Sequence, residues 1–327
     1  FDSTDVVIEA IVENMEVKKK VINELEKICH EDFIFASNTS SLPLTEMAKA
    51  AKKPENIVGM HYFSPVNKMP LLEIIKTDKT SNQTLATCYE IGRKQGKTCI
   101  VVNDMPGFYV NRILCPYLLE SLLMIEEGVR IEAIDKALTK LGMPIGPIAL
   151  LDEVGIDIGV HVMSGNMADL VKERDGFKIN YSMPKMLEAG LMGRKSKKGF
   201  YNYKMKKGKL KKDQTNNQVY QHFSSPKPKV LSEKEITDRA ILLLLNEAVW
   251  CLEDKIIENV QDGDIGGVFG IGFLPWSGGP FSYMNFLGID NVVDQLNHYS
   301  TIYGPKFNPR PLLLEMARNG SKFNTQL

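Results

Sequence analysis

The sequence predicts an α/β unit followed by two copies of an all-α unit. Three observations carry this. Short β-branched runs alternate with helical periodicities through the first hundred residues, and strand signals stop after Asp104-Met105-Pro106-Gly107. The two helical blocks that follow repeat the same side chains in the same order. Alternation at this rhythm gives a mainly parallel sheet with helices on its faces.

The elements follow in chain order. Val6 to Ala10 is a short apolar run that reads as a buried strand. Val17, Val21, Leu25 and Ile28 then recur at helical spacing among lysines and glutamates. Phe33 to Ala36 is a second strand, ending in the polar cluster Ser37-Asn38-Thr39-Ser40-Ser41. A helix is expected from Pro43 to Ala51, with Ser40 or Ser41 as its cap. Ile57 to Met60 and Leu71 to Ile75 are further strands, Leu85 to Gln95 is a helix, and Cys99 to Val102 is the last strand. Val110 to Glu127 is a long helix in which Pro116 predicts a kink or break near Cys115. Helical segments continue to Gly193, and Ser232 with Glu235 has capping-box spacing at the start of the second block.

The repeat is visible in spacing. Asn111-Arg112 with Glu120 lies 127 positions before Asp238-Arg239 with Glu247. Gly146-Pro147 and Gly155-Ile156-Asp157 answer Gly279-Pro280 and Gly288-Ile289-Asp290, 133 positions on. Several matches in order argue for a duplicated unit that packs against its twin. The expected divisions are 1–103 (sheet unit), 104–203 (first helical unit), 204–229 (basic linker) and 230–327 (second helical unit).

Forty basic and forty acidic residues cancel, so no global field recruits nucleic acid or an anionic membrane. Apolar residues at 43% and charged residues at 24% exclude bulk disorder. Cys29, Cys88, Cys99, Cys115 and Cys251 lie too far apart for a zinc motif or a disulfide framework, which suits a reducing compartment. The longest aliphatic run, Ile241 to Leu245, is far short of a membrane span. The chain opens on Phe1 rather than Met, which predicts a processed protein or a fragment.

Of five histidines, His30, His161, His222 and His298 read as structural or solvated. His61 stands at a strand end, in Gly59-Met60-His61-Tyr62-Phe63-Ser64-Pro65, where parallel sheets bind ligands. Glu73, twelve positions on, lies inside an apolar strand, where a carboxylate is costly unless paired. If the two strands are neighbours, Glu73 can hold the second ring nitrogen and poise His61 as a general base. A purely structural buried ion pair is the competing reading. The serine-threonine cluster at 37–41 and Asn111 could each cap a helix or hold a polar ligand, capping being the default. Gly193 to Tyr201 is basic and glycine-bounded, a phosphate contact or a solvated turn. Lys204, Lys206, Lys207, Lys209, Lys211 and Lys212 lack interleaved aromatics and read as a solvated loop, not a nucleic-acid site. No P-loop, GxSxG, HExxH or GxGxxG occurs.

Together, Val7 to Asn14, Ala36 to Leu42, Gly59 to Pro65, Pro106 to Arg112 and Gly193 to Ser196 resemble the 3-hydroxyacyl-CoA dehydrogenase family over nearly the whole chain. The duplicated helical unit and the ending Phe269 to Phe281 are most similar to multifunctional fatty-acid oxidation alpha subunits, mitochondrial or bacterial. The resemblance implies the second half of a Rossmann-type dinucleotide-binding domain, followed by two helical C-terminal domains. The glycine loop, the acid for the adenosine ribose and a preceding hydratase domain are not in this sequence.

The activity it implies is NAD-dependent oxidation of a (3S)-3-hydroxyacyl-CoA to the 3-ketoacyl-CoA. His61 would be the base and Glu73 its orienting carboxylate. Ser40 would contact substrate and cofactor, and Asn111 the substrate carbonyl. Glu13, Lys18, Ser64 and Lys195 match cofactor-side positions, Ser64 replacing an Asn common in relatives. The resemblance further implies a thiolase beta subunit as partner, peripheral membrane association of the complex, and a mitochondrial location or, alternatively, the bacterial cytoplasm. A non-catalytic assembly fragment packing against thiolase is the rival.

Overall fold

The computed structural model describes residues 1–164, 176–177, 182–224 and 227–324. The expected helical continuation through 165–175 and 178–181 lies outside the described residues. Strands β1 (Val6–Glu9), β2 (Ile34–Ser37), β3 (Ile57–Tyr62), β4 (Leu71–Lys76) and β5 (Thr98–Asn103) form one sheet in sequential order. Helix α1 (Met15–Leu25) connects β1 to β2, α2 (Leu44–Ala48) lies between β2 and β3, and α3 (Asn82–Lys94) connects β4 to β5. All pairs are parallel except β3 with β4. The eight residues between those two strands are too few for a crossover, which needs about a dozen, so the chain must turn back antiparallel.

Two cores flank the sheet because strand side chains alternate in direction. Ile34, Ala36, Val58, Met60, Leu72 and Ile74 point to one face and pack with Cys88 of α3. Phe35, Ile57, Leu71, Ile75, Ile100 and Val102 point to the other and join the core of the helical units.

The first helical unit comprises α4 (Val110–Glu126), α5 (Ile131–Leu141), α6 (Pro147–Val154), α7 (Ile156–Ser164) and α8 (Ser182–Glu188). The second comprises α9 (Glu233–Glu253), α10 (Val260–Gly266), α11 (Pro280–Leu287), α12 (Ile289–Tyr303) and α13 (Pro311–Asn319). Pro116 does not break α4, which runs unbroken through it. Ser232 caps α9 by accepting from the Glu235 amide at 3.1 Å, but Glu235's own side chain goes to the Tyr303 hydroxyl, so the box is one-sided.

The repeat is reciprocal in space. Arg112 on α4 donates to Glu247 on α9, and Arg239 on α9 donates to Glu120 on α4, both at 2.7 Å. Both arginines are fully enclosed, so each copy neutralises the charge that the other buries. The glycine-proline elbows match as well. Asp135 accepts from the Ile148 and Ala149 amides at the start of α6, and Asp264 from the Phe281 and Ser282 amides at the start of α11. A Cβ at Gly146 or Gly279 would collide with that aspartate, which is why glycine precedes each proline.

One pair differs. Asp152 on α6 accepts from the Phe200 and Tyr201 amides at 2.9 and 2.8 Å and from the Tyr203 hydroxyl at 3.2 Å. Its counterpart Asn285 accepts from the Phe323 amide at 2.9 Å and donates to the Phe323 carbonyl at 2.8 Å.

The basic stretch is not a loop. It contains the hairpin β6 (Tyr201–Lys206) and β7 (Lys209–Thr215), closed by two residues, Lys207 and Gly208, with φ of 52° and 72°. Two positive φ angles in a two-residue turn match the right-handed twist of the strands. Lysine at the first of them hid the signal, since Asn or Asp is the usual residue there. The lysines do stand at the surface, while Tyr201 and Tyr203 turn inward. His161, read as structural or solvated, is exposed.

Candidate active site

The antiparallel register of β3 and β4 sets His61 directly opposite Glu73. Period-two alternation then places both on the sheet face shared with Ile57 and Ile75, toward the helical units. His61 Nδ1 lies 2.7 Å from Glu73 Oε2, with His61 4% exposed and Glu73 fully buried. A carboxylate only accepts, so Nδ1 carries a proton, and the neutral ring in this tautomer offers its lone pair at Nε2.

Glu73's other oxygen accepts from the Tyr109 and Val110 amides at 3.1 and 3.0 Å. These are among the free N–H groups at the start of α4, where the helix dipole also favours an anion. The buried charge is thus satisfied on both oxygens. Phe63 and Phe108 close around the imidazole with ring centroids 4.6 and 5.6 Å from it. Phe108 is buried and has φ of 51°, a strained value for a bulky side chain, and Gly107 before it has φ of 76°.

A second polar network lies at the carboxyl ends of β1 and β2. Glu9 is 4% exposed and accepts from Lys18 Nζ at 2.6 Å, the Ser37 hydroxyl at 2.7 Å and the Ile11 amide at 2.7 Å. Glu13 accepts from the Thr39 hydroxyl at 2.6 Å and the Ser40 amide at 2.9 Å, and lies 3.4 Å from Lys18 Nζ. Burial pushes the Glu13 carboxyl up, but Thr39, the Ser40 amide and Lys18 outweigh it and bring it below the ordinary carboxylate range.

These placements correct several expectations. Ser40 and Ser41 do not cap α2, whose N-cap is Pro43 without a side-chain bond; the serine amides are instead taken up by Glu13. The Ser40 hydroxyl is exposed and has no hydrogen-bond partner among the described residues. Lys18 is 1% exposed and spent on Glu9 and Glu13, so it holds Glu13 in place and does not reach outward. Asn111 is the second residue of α4, not its cap; it is half-buried and its amide has no partner among the described residues. Ser64 is exposed just past β3. Lys195, in the turn after α8, is paired with Asp157 of α7.

Glu9 escaped the sequence reading, although a lone carboxylate in a branched apolar run was the same signal that singled out Glu73. The amides of Tyr109 and Val110 left no trace in side-chain chemistry.

The comparisons with known proteins give the family. The model for the 3-hydroxyacyl-CoA dehydrogenase NAD binding domain matches residues 1–105, and that for the 3-hydroxyacyl-CoA dehydrogenase C-terminal domain matches 107–203. A fatty acid oxidation complex subunit alpha from Shewanella frigidimarina is 48% identical over 98% of this chain. The chain spans 44% of that relative's length. The crystal structure of (S)-3-hydroxybutyryl-CoA dehydrogenase from Ralstonia eutropha is 36% identical, covers 62% of this chain and 72% of its own, and has a TM-score of 0.56. A 3-hydroxybutyryl-CoA dehydrogenase from Escherichia coli shares the fold over 97% of this chain and 82% of its own, with a TM-score of 0.83 at 23% identity.

Proposed function

The chain belongs to the 3-hydroxyacyl-CoA dehydrogenase family, and from that premise we propose that it is the dehydrogenase portion of a fatty-acid oxidation alpha subunit, oxidising (3S)-3-hydroxyacyl-CoA to 3-ketoacyl-CoA. The observation that carries the reading is the buried His61–Glu73 pair with Glu73 held by two amides. His61 accepts the proton of the substrate 3-hydroxyl at Nε2. Glu73 keeps the ring in the required tautomer and stabilises the imidazolium that forms. Phe63 and Phe108 keep water from the ring, which strengthens that ion pair. Asn111, with a free amide beside this pair's anchoring turn, is positioned to bind the substrate carbonyl.

NAD, when bound, supplies the acceptor for the hydride that leaves the substrate carbon. The residues fit its nicotinamide end: β1, β2 and β3 run parallel, and at their carboxyl ends stand the unpartnered Ser40 hydroxyl, Ser64 and the Glu13 network. Glu13 and Lys18 serve by ordering the Thr39 to Ser41 turn. Lys195, across the first helical unit, is the least supported of the cofactor-side residues, since its charge is met by Asp157. A glycine loop to hold the pyrophosphate is not among these 327 residues.

Three curated relatives named for such complexes come from Shewanella and Vibrio, which favours the bacterial cytoplasm over the mitochondrial placement. No described helix is long and apolar enough to cross a membrane. Assembly with a thiolase subunit, and any peripheral membrane contact of that complex, extend the same reading.

The test is NADH oxidation with acetoacetyl-CoA by the intact alpha subunit and its His61→Ala variant. Loss of turnover by about 10²–10⁴-fold with an unchanged circular-dichroism spectrum supports the reading. Turnover retained in His61→Ala overturns it.

A further inference from the structure

The second helical unit touches the turn that holds Glu73. After α10 the chain makes a π-helical turn, Gly267–Ile271, a geometry frequent at functional sites. Two glycines of this segment face that turn. A Cβ on Gly266 would stand 2.8 Å from the Tyr109 ring and 2.9 Å from Ile100, and one on Gly270 would stand 2.8 Å from both Val110 methyls and 2.9 Å from Leu71. Tyr109 and Val110 are the residues whose amides bind Glu73. Neither glycine has a positive φ, so only the lack of space excludes a side chain there. Rotating Val110 gives no relief, because both methyls flank the site and valine is stiff at χ1.

The second unit also grips the start of α4 and the ends of β4 and β5. Arg112, one helical step on, pairs with Glu247 of α9 at 2.7 Å and Asp254 just beyond it at 2.6 Å. The Asn103 amide at the end of β5 donates to the Ile256 carbonyl at 2.9 Å, and Lys76 at the end of β4 pairs with Glu258 at 2.6 Å. Phe108 keeps its strained backbone only while its surroundings hold it, and much of what packs on the next residues comes from this second unit.

We propose that the second helical unit is part of the dehydrogenase site, with Gly266 and Gly270 as positioning residues that let it seat on Tyr109 and Val110 and so hold Glu73 to His61. This rests on His61 being the base, but its test does not depend on turnover. The buried Nδ1 proton of His61 should give a far-downfield, slowly exchanging NMR signal in this chain, absent in His61→Gln. In Gly270→Ala and Gly266→Ala that proton is expected to exchange at least about tenfold faster while the methyl spectrum stays folded.

Gly263→Ala is the control. It lies on the same helix, and its Cβ would strike the Phe281 ring inside the second unit without touching the turn. It should lose stability and keep the His61 signal. Adding Val110→Ala to Gly270→Ala removes both Val110 methyls, leaving only the flexible end of Leu71 to shift, and should restore protection.

Equal loss of the signal in all three single variants, or no change in Gly266→Ala and Gly270→Ala, overturns the proposal. So does unfolding of Gly270→Ala that Val110→Ala does not relieve. Should His61→Ala keep its turnover in the separate kinetic test, the dehydrogenase reading fails whatever this signal does.

Discussion

Asp152→Asn tests the electrostatics of the first helical unit, with Asn285 as the natural precedent in the second. Burial pushes the Asp152 carboxyl up to about 6 despite the Tyr201 and Phe200 amides and the Tyr203 hydroxyl, and nearby Asp135 adds to the rise. In the unfolded chain it titrates near ~3.9. Between those values the folded state binds the proton more tightly, so this residue's contribution is fully present at low pH and is lost as pH rises through about 6. Linkage with these two values gives a loss of about 2 kcal/mol between about pH 4.5 and pH 7.

Asparagine removes that pH dependence but cannot accept from both amides, a constant cost of about 1–3 kcal/mol. The constant cancels when the stability difference between the two proteins is compared at the two pH values. Urea unfolding at both pH values should therefore show the variant gaining on the parent by about 2 kcal/mol toward neutrality. The Asp135 carboxyl is raised as well, chiefly by burial. A gain below about 0.5 kcal/mol, or one of opposite sign, would refute the claim that burial outweighs the three hydrogen bonds.

Three further outcomes are expected. Glu73→Gln, which keeps the shape but not the charge opposite His61, should lower kcat more than it raises KM in steady-state NADH oxidation by the intact subunit, by about 10²-fold or more. Glu120→Gln leaves the buried Lys306 without its carboxylate, while Arg239 keeps Glu127, and should cost about 3–5 kcal/mol in urea unfolding. Lys209→Ala on the exposed hairpin should stay within about 0.5 kcal/mol of the parent in the same measurement.

The sequence by itself determined the order and type of the main elements, because each strand and helix of the sheet unit carries its own periodicity. It determined the duplication too, since Arg112 with Glu120 and Arg239 with Glu247 repeat at a fixed offset. It marked His61 and Glu73 as a candidate pair, because a histidine at a strand end and an acid inside an apolar strand are both anomalies readable in one dimension. The hairpin at Tyr201 to Thr215 was lost to its lysine-glycine turn.

Only the tertiary structure decided that His61 and Glu73 face each other, because register depends on how β3 turns back into β4. It alone showed that each arginine pairs with the other copy's glutamate: intra-copy and inter-copy pairing use the same residues. The anchoring of Glu73 was invisible for a plainer reason. Every residue but proline has a backbone N–H, so nothing in the identities of Tyr109 and Val110 says where those amides point.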